Sequence, residues 1–309
     1  MARRTLLPIA GAFLGLASYY SLEKKDPIFS FWRHRHHNQS NSTEPVFLEG
    51  FRNWKSVTFV EAKELSPDSK MFIFSLGDPN LQLGLPLGHC IGFRAKIPTK
   101  KHPEGEIIMR AYTPTSKIDQ RGTIEVPIKI YYKNVHPNFP DGGLMTQYLD
   151  TLKPGDLLDI CGPKGKLTYF GDGNMDIKGK NYKIKNLGFV AGGSGITPCF
   201  QLIQYIIDNS EDIRLSLIYA NRTENDILLR DKLDEYVKTG KLKAYYTLDT
   251  PSETWEYGKG FVTQEMLQKH LPGPSEDTLI CFCGPKPMNK MLINHLQELG
   301  HSSSHFFKF

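Results

Sequence analysis

Four short stretches carry residue types whose spacing suits a flat, anionic, aromatic ligand. Residues 110–116 read Arg-Ala-Tyr-Thr-Pro-Thr-Ser between two β-rich runs. An arginine fork can clamp a diphosphate, and a tyrosine two positions on can lie against a planar ring. Residues 191–198 (Ala-Gly-Gly-Ser-Gly-Ile-Thr-Pro) stand where an apolar run gives way to an amphipathic one. At such a strand-to-helix turn, glycines admit a phosphate close to the backbone, amides point at it and the helix dipole favours the anion. Gly142, Gly143, Leu144, Met145 and Thr146 offer a second backbone cradle, and residues 282–288 (Phe-Cys-Gly-Pro-Lys-Pro-Met) a rigid rim at the end of another apolar run. Each stretch also has an ordinary reading: a βα turn needing positive φ, a hairpin turn before a capped helix, a strand stopped by proline. The 191–198 spacing is not the dinucleotide fingerprint, and Tyr219-Ala220-Asn221-Arg222 puts no acid at the next strand tip.

The elements that must position these residues fall into two grammars. From Trp54 to Tyr169 the chain runs in short alternating or β-rich segments punctuated by Gly and Pro, which predicts an antiparallel β-barrel. One helix is expected at 144–152 and a turn at 153–156. After a glycine-rich polar connection at 170–181, apolar strands alternate with amphipathic helices. Strands are predicted at 186–191, 214–220, 242–249 and 278–284, and helices at 196–208, 226–240, 263–271 and 286–300. That alternation predicts a doubly wound parallel α/β domain. The expected division is a leader at 1–25, a tether at 26–50, the barrel at 51–172 and the α/β domain at 173–309.

A chain of 309 residues with net charge +5 carries no basic run of the kind that binds nucleic acid. Its five cysteines, Cys90, Cys161, Cys199, Cys281 and Cys283, are scattered through apolar runs, which predicts reduced buried thiols and no metal centre. Residues 6–22 are uncharged and flanked by Arg3, Arg4, Lys24 and Lys25. As a helix they would span about 25 Å, slightly short of a hydrocarbon core. A signal anchor, a cleaved secretory peptide and a mitochondrial presequence compete; Tyr19-Tyr20 at the cleavage position favours an uncleaved anchor. Residues 33–45, with His34, His36 and His37, read as a solvated tether.

Taken in order, R-x-Y-T-x-x-S from Arg110, G-G-x-M-T from Gly142, G-G-x-G-I-T-P from Gly192 and C-G-P-x-P-M from Cys283 resemble the NADH–cytochrome b5 reductase family of ferredoxin-reductase-like flavoproteins. The resemblance covers about residues 45–309. It implies FAD on the barrel and NADH on the α/β domain, their rings meeting between them. Arg110 would bind the FAD diphosphate, with Ala111 beside it. Tyr112 would pack on the flavin with Thr113 near its reactive nitrogen. Ile128, Lys129, Ile130 and Tyr132 would line the flavin, and Gly143, Leu144, Met145 and Thr146 its phosphate and adenine side. Gly192, Gly193 and Gly195 would approach the NADH diphosphate, Thr197 would sit near both rings, Cys283, Gly284 and Pro285 would border the nicotinamide, and Asp249 the adenosine ribose.

The expected catalytic set is Tyr112, Thr113, Thr197 and Cys283, acting by positioning rather than acid–base chemistry. Ala111, Leu144 and Lys286 depart from the residues usual in the family, without removing a needed group. The resemblance further implies cytochrome b5 or a similar acidic haem protein as acceptor, with Lys96, Lys129, Lys133 and Lys166 as docking candidates. A monomeric body facing cytosol from the mitochondrial outer membrane or endoplasmic reticulum completes that reading. A related reductase with another haem or iron–sulfur acceptor, and a non-catalytic nucleotide-binding adaptor, are the alternatives.

Overall fold

A computed structural model describes residues 45–135, 137 and 139–309. The expected leader, the anchor and the histidines of the tether therefore lie outside the described residues, but the tether ends earlier than the expected residue 50: Phe47 and Leu48 are buried in the barrel core and their amides donate to the Gln82 and Leu83 carbonyls. Among those described, no helix is long and apolar enough to cross a membrane.

The first half of the described chain builds β1 (Gly50–Ser66), β2 (Ser69–Ser75), β3 (Cys90–Ile97), β4 (Glu106–Tyr112), β5 (Thr123–Lys129), the short helix α1 (Leu144–Leu149) and β6 (Leu157–Lys164). The six strands form one antiparallel sheet ordered β4-β3-β6-β1-β2-β5. Alternation sends one side chain in two inward: Phe72 and Phe74 from β2, Ile91 and Phe93 from β3, Ile124 and Val126 from β5. Their rings meet, with Phe74 5.7 Å from Phe59 and 5.5 Å from Phe93. The long β1 pairs with β6 along its first part and with β2 along its second, and a register shift between Phe59 and Glu61 lets it bend around this core. Past β4, Thr115 N donates to Glu125 O (2.9 Å) and Glu125 N to Ser116 Oγ (3.3 Å), so the segment after Tyr112 rejoins β5 and closes the curl. This is the expected barrel.

The second half carries β10 (Asn186–Gly192), α2 (Ile196–Asp208), β11 (Arg214–Asn221), α3 (Arg230–Lys238), β12 (Lys243–Leu248), β13 (Gly258–Lys259), α4 (Gln264–His270), β14 (Thr278–Cys283), α5 (Lys286–Glu298) and β15 (Phe306–Lys308). All six strands are parallel, in the order β13-β12-β11-β10-β14-β15. Both faces are covered. Phe189, Leu217, Tyr219 and Cys281 pack with α2 and α3, while Val190, Ile218, Ile280 and Phe282 pack with Leu267 of α4 and Leu292 of α5. That is the doubly wound sheet expected, and it explains strands apolar at nearly every position. All five cysteines are free thiols, and Cys161, Cys199 and Cys281 are buried.

Two local expectations differ. The stretch expected as a polar connection folds into a three-stranded antiparallel meander, β7 (Leu167–Gly171), β8 (Asn174–Ile177) and β9 (Lys180–Lys183). Asp172-Gly173 and Lys178-Gly179 all have positive φ and make the two tight hairpin turns. Met175 and Ile177 alternate into the core beneath α2, and the Tyr169 hydroxyl donates to Glu211 while accepting from Gly173 N (2.8 Å). Helix α3 starts at Arg230, later than the expected 226, because the Asp226 carboxylate is taken by Thr223 N and Oγ1 in a capping box and Leu229 turns to φ +60°.

Phe74 has no exposed surface and touches three rings. Phe74→Ala is expected to cost about 3–5 kcal/mol, read as a lowered urea midpoint with unchanged slope.

Candidate functional site

Both halves open onto one cleft of about 2520 Å³. From the barrel come Arg110, Ala111, Tyr112, Thr113, Ile128, Lys129, Ile130 and Tyr132, followed by Gly143, Leu144, Met145 and Thr146. From the carboxyl ends of the parallel strands come Gly192, Gly193, Gly195, Thr197, Asp249, Cys283, Gly284 and Pro285. Every site residue expected from the sequence is brought here. Three of them, Ile128, Ile130 and Met145, are almost wholly buried in the barrel core and shape the wall from behind.

Arg110 and Tyr112 share one face of β4 because they are two apart in a strand. Tyr112 pairs in register with Ile91 and rests its ring 4.7 Å from that of Phe93, which fixes its plane. Burial pushes its phenol well above the usual range, so it stays neutral. Arg110 is exposed; its Nη1 donates to the Met109 carbonyl (2.8 Å), and among the described residues no carboxylate pairs with it. Its positive charge is open to an anion.

The glycines opposite are dictated by contact. A Cβ on Gly195 would lie 2.2 Å from the Cys283 carbonyl, and one on Gly192 would lie 2.8 Å from the Met288 sulfur. Gly193 has φ +53° and open space above it. The Tyr219 hydroxyl supports the turn from beneath, donating to Gly193 O (3.1 Å) and accepting from Leu228 N (3.2 Å). Thr197 Oγ1 donates to Ser194 O (3.3 Å), tying the first turn of α2 to the same loop, while Pro198 occupies a first-turn position that needs no N–H donor. The Ile196 amide turns back onto the Gly193 carbonyl, so the glycine loop runs into α2 through a short 3-10 turn. Burial, with Cys90 nearby, pushes the Cys283 thiol up to about 11, so it is a neutral packing group and not a thiolate. At the tip of β12, burial raises the Asp249 carboxyl and the neighbouring Arg222 opposes that shift.

Lys129 lines the cleft, but its ammonium is committed. It lies 2.7 Å from Asp68, in the β1–β2 turn, and 2.9 Å from Asp226, after β11. Its charge therefore ties the two halves together, in contrast to the free docking cation expected. Lys133 and Lys166 line the cleft, whereas Lys96 packs its stem over Gly105. Sequence reasoning did not single out Phe261, which lines the cleft 76% exposed just after Gly260 (φ +83°). A large apolar side chain beside a turn glycine was the available signal.

The residues present suit two nucleotides: an uncommitted arginine beside an oriented aromatic face on one wall, and a glycine turn closed by the backbone of β14 on the other. Comparison with known proteins agrees. Residues 56–169 match the oxidoreductase FAD-binding domain family, and residues 189–293 match the oxidoreductase NAD-binding domain family. The chain is 41% identical over 280 residues to NADH-cytochrome b5 reductase 2 of Homo sapiens, covering 87% of this chain and 99% of that protein. It is 45% identical over 271 residues to nitrate reductase [NADH] 1 of Oryza sativa subsp. japonica, of whose length it spans only 29%. The cytochrome b5 reductase domain of Ulva prolifera nitrate reductase superposes with a TM-score of 0.82 at 34% identity, covering 86% of this chain and all of that one.

The Lys129 bridge has a defined pH window. Burial raises the Asp226 carboxyl, but hydrogen bonds from Thr223 and Lys129 outweigh this and hold it below its ordinary value of 3.8. A depressed folded value means its contribution is complete above that pH and is lost as pH falls through the folded value. Burial lowers the Lys129 ammonium, but its two carboxylates hold it above 10.5, so its part persists until pH rises past that value. Asp226→Asn is expected to cost about 1–2 kcal/mol through the neutral range. The difference in urea midpoint between the two proteins should hold down to about pH 4 and shrink only below it, as the folded Asp226 takes up its proton.

Proposed function

Because the chain belongs to the NADH–cytochrome b5 reductase family of FAD- and NAD-binding oxidoreductases, we propose that it takes electrons from NADH onto FAD and passes them singly to cytochrome b5 or a similar acidic haem protein. The observation that carries this reading is the meeting, in one cleft, of Arg110 and Tyr112 from the barrel with Gly193, Gly195 and Cys283 from the parallel sheet. Bound FAD supplies the conversion of a two-electron donor into one-electron deliveries.

The chain's own residues position and exclude. Arg110 holds a diphosphate by its guanidinium fork, with the backbone at Gly143 to Thr146 on the same ligand. Tyr112 offers its neutral ring to the flavin plane, and Thr113 stands beside it. Gly192, Gly193 and Gly195 admit the second diphosphate at the start of α2, where the helix dipole favours it. Thr197 and Cys283 close the space between the two rings; the un-ionised thiol packs there without adding charge. Asp249 accepts from a ribose hydroxyl and repels a 2′-phosphate, selecting NADH over NADPH. Positioning within van der Waals reach suffices, so no general base is assigned.

The same proposal takes residues 51–172 as the FAD domain and 173–309 as the NADH domain. It also takes 6–22 as an uncleaved anchor that tethers a monomeric body, through 26–44, to the cytosolic face of the mitochondrial outer membrane or the endoplasmic reticulum. The 45% identity with an NADH nitrate reductase favours a second reading, a related reductase with another haem or iron–sulfur acceptor.

The purified full chain is expected to be yellow and to bleach on anaerobic addition of NADH, then to recolour with oxidised cytochrome b5. A colourless protein that FAD does not reconstitute would sink the assignment, and recolouring only by another haem protein would favour the second reading. Arg110→Ala should weaken FAD retention about tenfold or more, from loss of a charge-assisted contact.

A further inference from the structure

We propose that the base of the parallel sheet, at the opposite end of the strands from the nucleotide cleft, is a binding site for a compact phosphate group, a phosphomonoester or diphosphate. A cavity of about 680 Å³ opens there, within the range of small-molecule pockets. It is lined by Arg214, Ser216, Lys241, Lys243, Lys269 and His270. Strand register brings them together: Ser216 lies directly beside Lys243, and Arg214 beside Asn186. His270 stacks on Tyr245, ring centroids 3.7 Å apart and 12° from parallel, which fixes one wall.

Two independent observations point to an anion. The first is charge. Among the described residues, Lys241, Lys243 and Lys269 make no ion pair and no side-chain hydrogen bond. Arg214 uses only its Nε, donating to Asn186 Oδ1 (2.8 Å), which leaves the terminal nitrogens of its fork. The acid lining this cavity is Glu211, whose carboxylate accepts the Tyr169 hydroxyl and whose pKa burial pushes up. The second is an orphan. Ser216 is 7% exposed, and its hydroxyl, buried behind the cavity lining, has no hydrogen-bond partner. An unpaired buried hydroxyl is costly to the fold unless a partner satisfies it.

The carboxyl ends of α2, α3 and α4 reach this edge, and their dipoles oppose an anion. The lysines and arginine therefore have to supply the attraction, and four cations exceed what a single carboxylate needs. A strand of seven residues separates the site from Gly192, roughly 20 Å, so the nucleotide cleft does not extend into it.

The test uses the full-length, FAD-loaded protein saturated with NAD+, which keeps the nucleotide cleft filled. Calorimetric titration with inorganic pyrophosphate at low salt should show one site. Lys243→Gln with Lys269→Gln should weaken it at least tenfold, and Ser216→Ala about threefold, while NADH-dependent ferricyanide reduction stays unchanged and reports an intact fold. Absence of heat in the unaltered protein, or equal affinity in the double variant, overturns the proposal. Sedimentation with phosphatidylcholine vesicles, with and without phosphatidic acid, separates the two sources of the group. Phosphatidic-acid-dependent binding that the double variant loses and pyrophosphate competes assigns a lipid headgroup; pyrophosphate binding without it assigns a free phosphorylated molecule.

Discussion

At Gly195 two backbones touch. The turn after β10 runs so close to the Cys283 carbonyl that even a methyl group would collide with it. That contact draws the ends of β10 and β14 into one surface. With Ala191 and Cys283 in parallel register, the glycine turn and the thiol rim sit at one height above the sheet. The barrel's contribution follows from the same demand for close approach. Tyr112 is useful only because Phe93 holds its ring in place, and Phe93 is held by the aromatic core beneath. The site thus pairs backbone and apolar surface with the guanidinium of Arg110 on one wall and that of Arg222 beside Asp249 on the other. This suits a reaction whose requirement is that two flat rings lie against each other in a space from which water is kept out.

A second constraint acts across the cleft. Lys129 belongs to the barrel and Asp226 to the turn after β11, and Asp68 completes the group. Two carboxylates around one ammonium leave a net negative charge, so the cluster holds the halves together without attracting an anionic nucleotide. Arg110 stays outside that cluster, a positive group on the barrel wall beside Lys133 and Lys166. Tyr219 plays a related part inside the α/β half. It is fully buried, yet its hydroxyl joins Gly193 to Leu228, coupling the glycine turn to the segment that carries Asp226.

Much of this was legible in the sequence wherever the residues themselves impose the geometry. Glycines at 192, 193 and 195 between an apolar strand and a helix, an arginine two residues from a tyrosine on one strand face, and a Cys-Gly-Pro rim all line the cleft as expected. What escaped reading depends on partners distant along the chain. Asp172-Gly173 and Lys178-Gly179 have the composition of a linker, and only the burial of Met175 and Ile177 beneath α2 shows them to be hairpin turns. The late start of α3 follows from side-chain bonds that Asp226 makes to Thr223 and to Lys129 nearly a hundred positions earlier. Lys129 read as a free surface cation because neither of its acids is near it in sequence. The orphaned Ser216 was invisible for the converse reason: a serine in an apolar strand looks unremarkable until its neighbours are known to offer it no bond.

The long strand β1 takes half of its ladder from β2, its immediate successor, and the other half from β6, where Gly50 meets Gly162 and Val57 meets Leu158. On a translating ribosome the first partner emerges at once, whereas the second appears more than a hundred residues later. At about 5–20 residues per second, that first portion waits on the order of ten seconds with its hydrogen-bonding edge bare. Glu49 and Lys55, with Arg52 between them, place charges along the waiting segment. Charges on an uncovered strand edge deter pairing with a neighbouring nascent chain, so the same residues that solubilise the finished barrel also guard it during synthesis.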